Sequence, residues 1–112
     1  MNWTTLNDIN QLQQLIEASH IKPQAIFKHS TRCSISLMAQ SRLERSGLPE
    51  QIQFHYLDLL QYREISNKIA EQFSVYHQSP QVLLIKNGEC IYEETHSAIS
   101  MEEIIEQAIR EV

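Results

Sequence analysis

The stretch "PQVLLIKNGECIYEE", residues 80–94, decides the fold of this chain. It contains two runs rich in aliphatic and aromatic residues, joined at Asn87-Gly88. This dipeptide is a preferred centre for a two-residue type I′ turn, because both residues tolerate positive φ angles. The stretch therefore predicts an antiparallel β-hairpin that begins near Pro80.

Strand and helix patterns alternate upstream of the hairpin. Residues 24–29, "QAIFKH", form a short apolar run after Pro23, and residues 51–59, "QIQFHYLDL", alternate between apolar and polar side chains. Both patterns predict strands. Between them the period becomes helical from about Cys33 to Gly47, and this glycine is expected to be a left-handed C-terminal cap.

Three further helices are predicted. Asp8 is expected to cap a helix that runs to about Ser19. Residues 62–73, "YREISNKIAEQF", place apolar side chains at helical spacing. Ser100 and Glu103 form a capping box, which predicts a terminal helix after the hairpin.

This order of elements predicts an α/β fold in one domain that spans residues 1–112. Strands separated by helices pair in parallel through right-handed crossovers, and the hairpin adds antiparallel strands. We expect a four-stranded mixed central sheet with helices on both faces. Residues 3–6, "WTTL", are a candidate for a short additional edge strand.

Composition narrows the classes of partner. The chain has nine basic and fourteen acidic side chains, for a net charge of −5, and its basic residues are scattered. Nucleic acid is not expected as a partner, because following a phosphate backbone requires clustered positive charge. The amino-terminal segment lacks a signal-peptide pattern, and no segment reaches the roughly 20 apolar residues of a membrane-spanning helix. We therefore expect a cytoplasmic protein with no membrane partner.

The two cysteines, Cys33 and Cys90, match no disulfide scaffold and no zinc motif, so no metal site is predicted. Cys90 lies in the second strand of the hairpin and is interpreted as a packing residue. Cys33 follows a polar turn just before a helix. Its setting alone leaves two alternatives open, a reactive thiol or a small buried hydrophobic residue.

The start of a helix favours the reactive thiol. Thiol–disulfide exchange requires a thiolate, and an ordinary cysteine is mostly protonated at neutral pH. The first helical turn offers unpaired N–H groups and the positive end of the helix dipole. The amides of Ile35 and Ser36 are the expected donors to the Cys33 sulfur, and Arg32 and His29 are expected to add positive charge.

Ser36 stands where a two-thiol site would carry its second cysteine. A hydroxyl can donate a hydrogen bond to a thiolate, but it cannot attack a disulfide. An adduct on Cys33 would therefore persist until an external thiol arrives. This favours removal of a small-thiol cap over general reduction of protein disulfides.

The second half of the chain resembles a thioredoxin. Residues 56–89, "YLDLLQYREISNKIAEQFSVYHQSPQVLLIKNGE", show an aspartate after a strand, a helix, a valine before a loop, a proline and a "KNG" turn. More narrowly, "CSIS" (33–36) together with "VYHQSPQVLLIKNGE" (75–89) is similar to the monothiol bacilliredoxins of the bacillithiol system. The likeness covers nearly the whole chain, and it implies a thioredoxin-like fold.

The resemblance also implies an activity. Such a protein removes bacillithiol, a low-molecular-weight thiol, from mixed disulfides on S-thiolated cytosolic proteins. Cys33 would take the bacillithiol, and a second free thiol would release it, with no cofactor other than bacillithiol as co-substrate. The alternatives are a redox sensor or protein-interaction module without turnover, and a thioredoxin-like domain with no redox role.

The second part of the implied site is the loop at Ser79-Pro80. The resemblance implies a cis peptide bond here, opposite Cys33, with the backbone of Ser79 offered to a substrate. His77 and Gln81 flank the loop and are expected to contact the sugar or carboxylates of bacillithiol. His77 is also expected to carry charge near neutral pH.

Ser34 is a departure from the family, which usually has a proline directly after the cysteine. Serine restores an N–H donor near the sulfur and loosens the first helical turn. Arg32 and Ser34, on either side of Cys33, complete the expected substrate contacts.

Overall fold

The computed structural model describes residues 3–110. These residues form a mixed sheet with the strand order β1-β3-β2-β4-β5. The strands are β1 (Trp3–Thr5), β2 (Gln24–His29), β3 (Gln53–Asp58), β4 (Gln81–Lys86) and β5 (Glu89–Thr95). The helices are α1 (Asn10–Ala18), α2 (Ser34–Ser46), α3 (Arg63–Phe73) and α4 (Met101–Ile109), with a short 3-10 helix at His96–Ala98.

The central strand β2 determines the topology. It pairs in parallel with β3, where His29 lies opposite Asp58, and antiparallel with β4, where Lys28 lies opposite Gln81. The carboxyl ends of β2 and β3 and the amino end of β4 therefore meet at the same end of the sheet. The segment that leads into α2 and the loop that leads into β4 both lie at this end.

The hairpin between β4 and β5 is confirmed. Asn87 and Gly88 have φ angles of 54° and 80°, the two positive values that a type I′ turn requires. Both amides donate to Ser19 at the end of α1, from Asn87 to the carbonyl oxygen at 3.0 Å and from Gly88 to Oγ at 2.8 Å. The turn is thus attached to the first helix.

The number of strands differs from the prediction, since the sheet has five strands rather than four. The extra strand is the candidate edge strand β1, which pairs in parallel with β3. The Trp3 ring stacks on Phe27 with a centroid distance of 5.6 Å, and its Nε1 donates to Glu44 Oε2 at 2.9 Å. So short a strand has few backbone hydrogen bonds, and the packing of this tryptophan holds it in place.

The predicted helix ends are correct in two of three cases. Asp8 Oδ1 accepts from the Asn10 amide at 2.8 Å, and Ser100 Oγ accepts from the Glu103 amide at 3.2 Å. Gly47 does end α2 with a positive φ of 79°, but its ψ of 142° is extended. It is therefore not the left-handed cap that we expected, although its conformation still favours glycine.

Helices pack on both faces of the sheet, as predicted. Because side chains alternate along a strand, Phe27 enters the core under α2 and α4, whereas Ile26 enters the core under α1 and α3. All six residues of β2 are buried. Complete burial of one such aliphatic or aromatic side chain stabilises the fold by roughly 1.5–3 kcal/mol.

Within residues 3–110, none of the helices combines the length and apolarity needed to cross a membrane.

Candidate active site

Cys33 is the residue immediately before α2. Its backbone is extended, with φ of −107° and ψ of 121°, and its carbonyl oxygen accepts the first helical hydrogen bond from the Leu37 amide at 3.0 Å. The Cys33 amide donates to the Ser30 carbonyl oxygen at 3.2 Å. The thiol is therefore held at the amino end of the helix, and it is partly exposed to solvent.

The start of the helix changes the acidity of this thiol. The backbone N–H groups of Ser36 and Ile35 lower the pKa of Cys33, burial opposes them slightly, and the Ser36 hydroxyl adds to the decrease. Hydrogen bonds to a charged group favour its charged form. The geometry thus increases the fraction of thiolate, the form that attacks a disulfide.

Ser36 links the cysteine turn to the proline loop. Its side chain is fully buried, its Oγ accepts from the Ser30 amide at 3.4 Å, and it lies 3.5 Å from Ser79 Oγ. The Ser79-Pro80 bond is cis, as the resemblance implied. The Pro80 carbonyl oxygen accepts from the His96 amide at 3.1 Å. The first turn of α2 and this loop therefore lie side by side.

Cys90 is placed away from Cys33. It lies in β5, which β4 separates from β2 in the sheet. Its Sγ donates to the Tyr92 carbonyl oxygen at 3.3 Å, and burial raises the pKa of the Cys90 thiol. This thiol is protonated and packs beside the core under α1 and α3.

Arg32 and Ser34 are exposed on either side of Cys33 in the sequence. Both side chains are accessible to a ligand, and the structure gives neither a competing role in the core. Among residues 3–110, no group of His, Cys, Asp and Glu side chains is arranged to hold a metal ion.

The expectation that His29 adds positive charge near Cys33 is wrong. His29 is fully buried and stacks on Phe27 at a centroid distance of 5.4 Å. Burial lowers the pKa of His29, although the Asp58 carboxylate and the Ser36 backbone oppose this. The ring is therefore neutral near pH 7 and cannot supply a charge to the thiolate.

The assignment of Gln81 as a substrate contact also needs correction. Its side chain is fully buried. Its Nε2 donates to the Tyr76 carbonyl oxygen at 3.0 Å and to Glu93 Oε2 at 2.9 Å, while its Oε1 accepts from the Gln78 amide at 3.3 Å. Both N–H groups of the amide are used within the protein, so Gln81 orders the proline loop from below and does not reach a ligand.

His77 is an exposed residue of the same loop, as expected, but one nitrogen of its ring contacts two buried side chains. Its Nδ1 is 3.3 Å from Lys28 Nζ and 3.2 Å from Ser66 Oγ. Burial first, and then the charges of Lys28 and Arg63, lower the pKa of His77. The imidazole is therefore mainly neutral near pH 7, contrary to the expectation that it carries charge.

Lys28 is a residue that the sequence analysis missed. It stands inside the apolar run "QAIFKH", and its side chain is fully buried. A charged residue within an otherwise apolar strand was the available signal, because lysine is rarely buried without a partner.

The sheet order and a helix that begins at a cysteine beside a cis-proline loop place this chain among the thioredoxin-like proteins. The model of the family "Monothiol bacilliredoxin BrxC" matches residues 4–104. The chain belongs to this monothiol bacilliredoxin family.

Solved structures show the same thioredoxin fold. A proposed oxidoreductase with a thioredoxin fold is 30% identical, with a TM-score of 0.80, and the match covers 95% of this chain and 93% of that one. Thioredoxin from Malassezia sympodialis is 18% identical (TM-score 0.76, 95% and 90% covered), and thioredoxin from Fasciola hepatica is 19% identical (TM-score 0.73, 93% and 98% covered). The two thioredoxins share the fold, and the family together with the first structure supports a thiol oxidoreductase.

Proposed function

We propose that this protein is a monothiol thiol–disulfide oxidoreductase that removes bacillithiol, or a similar low-molecular-weight thiol, from S-thiolated proteins of the cytosol. The observation that supports this most directly is the pairing of Cys33, whose pKa is lowered by two helix amides, with a serine at position 36. The site has an activated nucleophile and, three residues later in the first turn of α2, a hydroxyl in place of a second thiol.

The reaction consists of two exchanges that balance without an external oxidant. First, the Cys33 thiolate attacks the bacillithiol sulfur of a mixed disulfide. A new S–S bond forms between Cys33 and bacillithiol, the original S–S bond breaks, and the substrate protein leaves as a thiolate that takes a proton from solvent. The bacillithiol cap now resides on Cys33.

Second, a free small-molecule thiolate attacks the bacillithiol sulfur held by Cys33. The product is a disulfide of the two small thiols, and the Cys33 thiolate is regenerated. Ser36 cannot perform this attack, because a hydroxyl does not displace a thiolate from a disulfide. Its buried hydroxyl, next to Ser79 Oγ, instead helps to stabilise the thiolate at both stages.

A transfer experiment tests the proposal. A substrate protein capped with bacillithiol is incubated with this chain, and intact mass spectrometry follows the cap. We expect transfer to Cys33 and its release when free bacillithiol is added. Cys33→Ser should abolish transfer, whereas Cys90→Ser, the matched control, should retain it.

Two results would count against the proposal. If the cap is not transferred to Cys33, the protein does not have the proposed activity. Transfer to Cys33 without release by any free thiol would favour the sensor or interaction module, since the cap would then be an end state rather than an intermediate.

A further inference from the structure

Lys28 is an ammonium side chain with no exposed surface in the middle of the central strand. It extends toward the face covered by α1 and α3, the same face as Ile26. Burying a charged group is unfavourable unless partners stabilise it. The function described above does not use this residue, so its partners indicate its role.

The groups around Lys28 keep it charged near pH 7. Burial lowers the pKa of Lys28 to about 8, and the nearby Glu93 carboxylate opposes part of this decrease. Glu93 is itself held by the Gln81 side chain, whose Nε2 donates to it at 2.9 Å. Lys28 is therefore mainly an ammonium group, which can donate hydrogen bonds but cannot accept them.

This charge constrains His77. The Lys28 Nζ lies 3.3 Å from His77 Nδ1, and an ammonium group can donate to a ring nitrogen only when that nitrogen carries no proton. Ser66 Oγ, at 3.2 Å from the same Nδ1, is able to donate to it as well. In the neutral ring the proton must then be on Nε2, the ring nitrogen that contacts neither Lys28 nor Ser66, and His77 as a residue is exposed.

We propose that Lys28 is a positioning residue that, through His77, presents the Nε2–H of a neutral imidazole to a carboxylate oxygen of the small thiol bound at Cys33. His77 is two residues before Ser79, and Ser79 Oγ is 3.5 Å from Ser36 Oγ in the first turn of α2. His77 therefore belongs to the loop that contacts the first turn of α2, which begins directly after Cys33. The charge of Arg63 is close enough to lower the pKa of His77. Arg63 and Lys28 therefore make the potential around the His77 ring positive, which favours an anionic ligand.

This inference rests on the proposed function for its ligand, but its structural part can be tested alone. Nitrogen-15 NMR of the histidine-labelled full chain near pH 7 reports which ring nitrogen carries the proton. We expect an unprotonated Nδ1 and a protonated Nε2 for His77, and a mixture of both tautomers in Lys28→Met. Lys68→Met, which changes an exposed lysine, should leave the signal unchanged.

A proton on Nδ1 in the wild-type chain, or an unchanged tautomer in Lys28→Met, would overturn the proposal. The wild-type measurement decides the first point even if the variant does not fold. The exposed His20 provides an internal reference that Lys28 does not contact.

Kinetics with two matched caps test the ligand. One peptide is capped either with mercaptopropionate, which has a carboxylate, or with mercaptoethanol, which has none. We expect His77→Ala and Lys28→Met to raise KM for the mercaptopropionate cap by about tenfold to a hundredfold, the effect of one lost hydrogen bond to a charged group. KM for the mercaptoethanol cap and kcat for both should stay within about twofold of wild type.

Equal effects on the two caps would overturn the carboxylate assignment. If the wild-type chain processes neither cap, the proposed function is what fails, and the tautomer measurement still decides the role of Lys28.

Discussion

The hydroxyl oxygens of Ser36 and Ser79 lie 3.5 Å apart, across the boundary between the first turn of α2 and the cis-proline loop. Ser36 Oγ also accepts from the Ser30 amide in the turn that precedes Cys33. One buried hydroxyl thus contacts both the turn before Cys33 and the cis-proline loop, and it also lowers the pKa of the Cys33 thiol. Ser36 therefore does more than occupy the position of a second cysteine. Its hydroxyl connects the turn to the loop and stabilises the thiolate form of Cys33.

Ser36→Ala should make Cys33 less reactive below neutral pH. The substitution removes one hydrogen bond to the thiolate but leaves the backbone amides of Ile35 and Ser36, so the pKa of Cys33 should rise without returning to its ordinary value. We expect the rate of alkylation by iodoacetamide to fall about threefold on the acidic side of the profile. Ser41→Ala, on an exposed position of the same helix, is the control, and an identical pH profile for both variants would contradict this role.

Ser34→Pro should stabilise the protein. Cys33 already has φ of −107° and ψ of 121°, which is the conformation that a following proline requires, and Ser34 is the first residue of α2. Proline lowers the conformational entropy of the unfolded chain, so we expect a gain of about 0.5 kcal/mol in the free energy of unfolding.

Thermal denaturation measures this gain, and Ser41→Pro in the helix interior should lower stability by about 3 kcal/mol for comparison. The donors to the Cys33 sulfur are the amides of residues 35 and 36, which the substitution at position 34 retains. Cys33 should therefore remain reactive in Ser34→Pro, and loss of its alkylation at neutral pH would show that the Ser34 amide matters after all.

The parts of this structure that depend only on residues adjacent in the sequence could be predicted from the sequence. The hairpin follows from Asn87-Gly88, and the amide donors to Cys33 follow from a helix that starts at the next residue. The environments of Lys28 and His29 could not be predicted in the same way. They point to opposite faces of β2, and both are buried because strands flank β2 on each side and helices cover both faces. That burial depends on tertiary packing, which the local pattern of six residues does not contain.

Gln81 illustrates the same limit, because its polar side chain suggested a ligand contact. The antiparallel register places it opposite Lys28, inside the sheet, where its amide can bond to the loop above. A glutamine directly after an exposed loop and one that begins a buried strand look alike in sequence.

Acid should destabilise the fold through His55. Its Nε2 lies 2.7 Å from Gln24 Oε1, and burial lowers the pKa of His55 from 6.5 to about 4. Between these two values the unfolded chain binds a proton that the folded chain does not, so stability falls as the pH decreases from 6.5 toward 4. The loss from this residue reaches about 3 kcal/mol at the lower end.

Urea unfolding of wild type and His55→Gln, near pH 7 and near pH 5, measures this contribution. Glutamine does not titrate and keeps an N–H donor that can reach Gln24, so the variant should lose less stability on acidification than wild type. His20→Gln, at an exposed position, is the control and should follow the wild-type curve. An equal pH dependence in all three proteins would assign the acid sensitivity to other groups.

Gln81→Ala should increase the mobility of the proline loop. It should not remove a contact with the substrate, so molecules in which the loop keeps its native structure should still bind the substrate normally. The substitution leaves the Tyr76 carbonyl oxygen and the Gln78 amide without their partner and removes the donor to Glu93. Because a typical hydrogen bond contributes about 0.5–1.5 kcal/mol, losing these contacts should lower the free energy of unfolding by about 1–3 kcal/mol in total. Hydrogen exchange at the amides of residues 75–79 should become faster, because the side chain no longer holds this segment onto β4.

The matched control is Gln78→Ala, which removes an exposed side chain from the same loop but keeps the backbone amide that bonds to Gln81. It should leave both the unfolding free energy and the exchange rates near their wild-type values. If Gln81 instead contacted the bound thiol, Gln81→Ala would raise KM for the capped substrate while stability and exchange stayed unchanged. That outcome would return Gln81 to the substrate site. We do not expect it, because both N–H groups of the buried amide bond to the protein and a ligand could bind to them only after the loop contacts had broken.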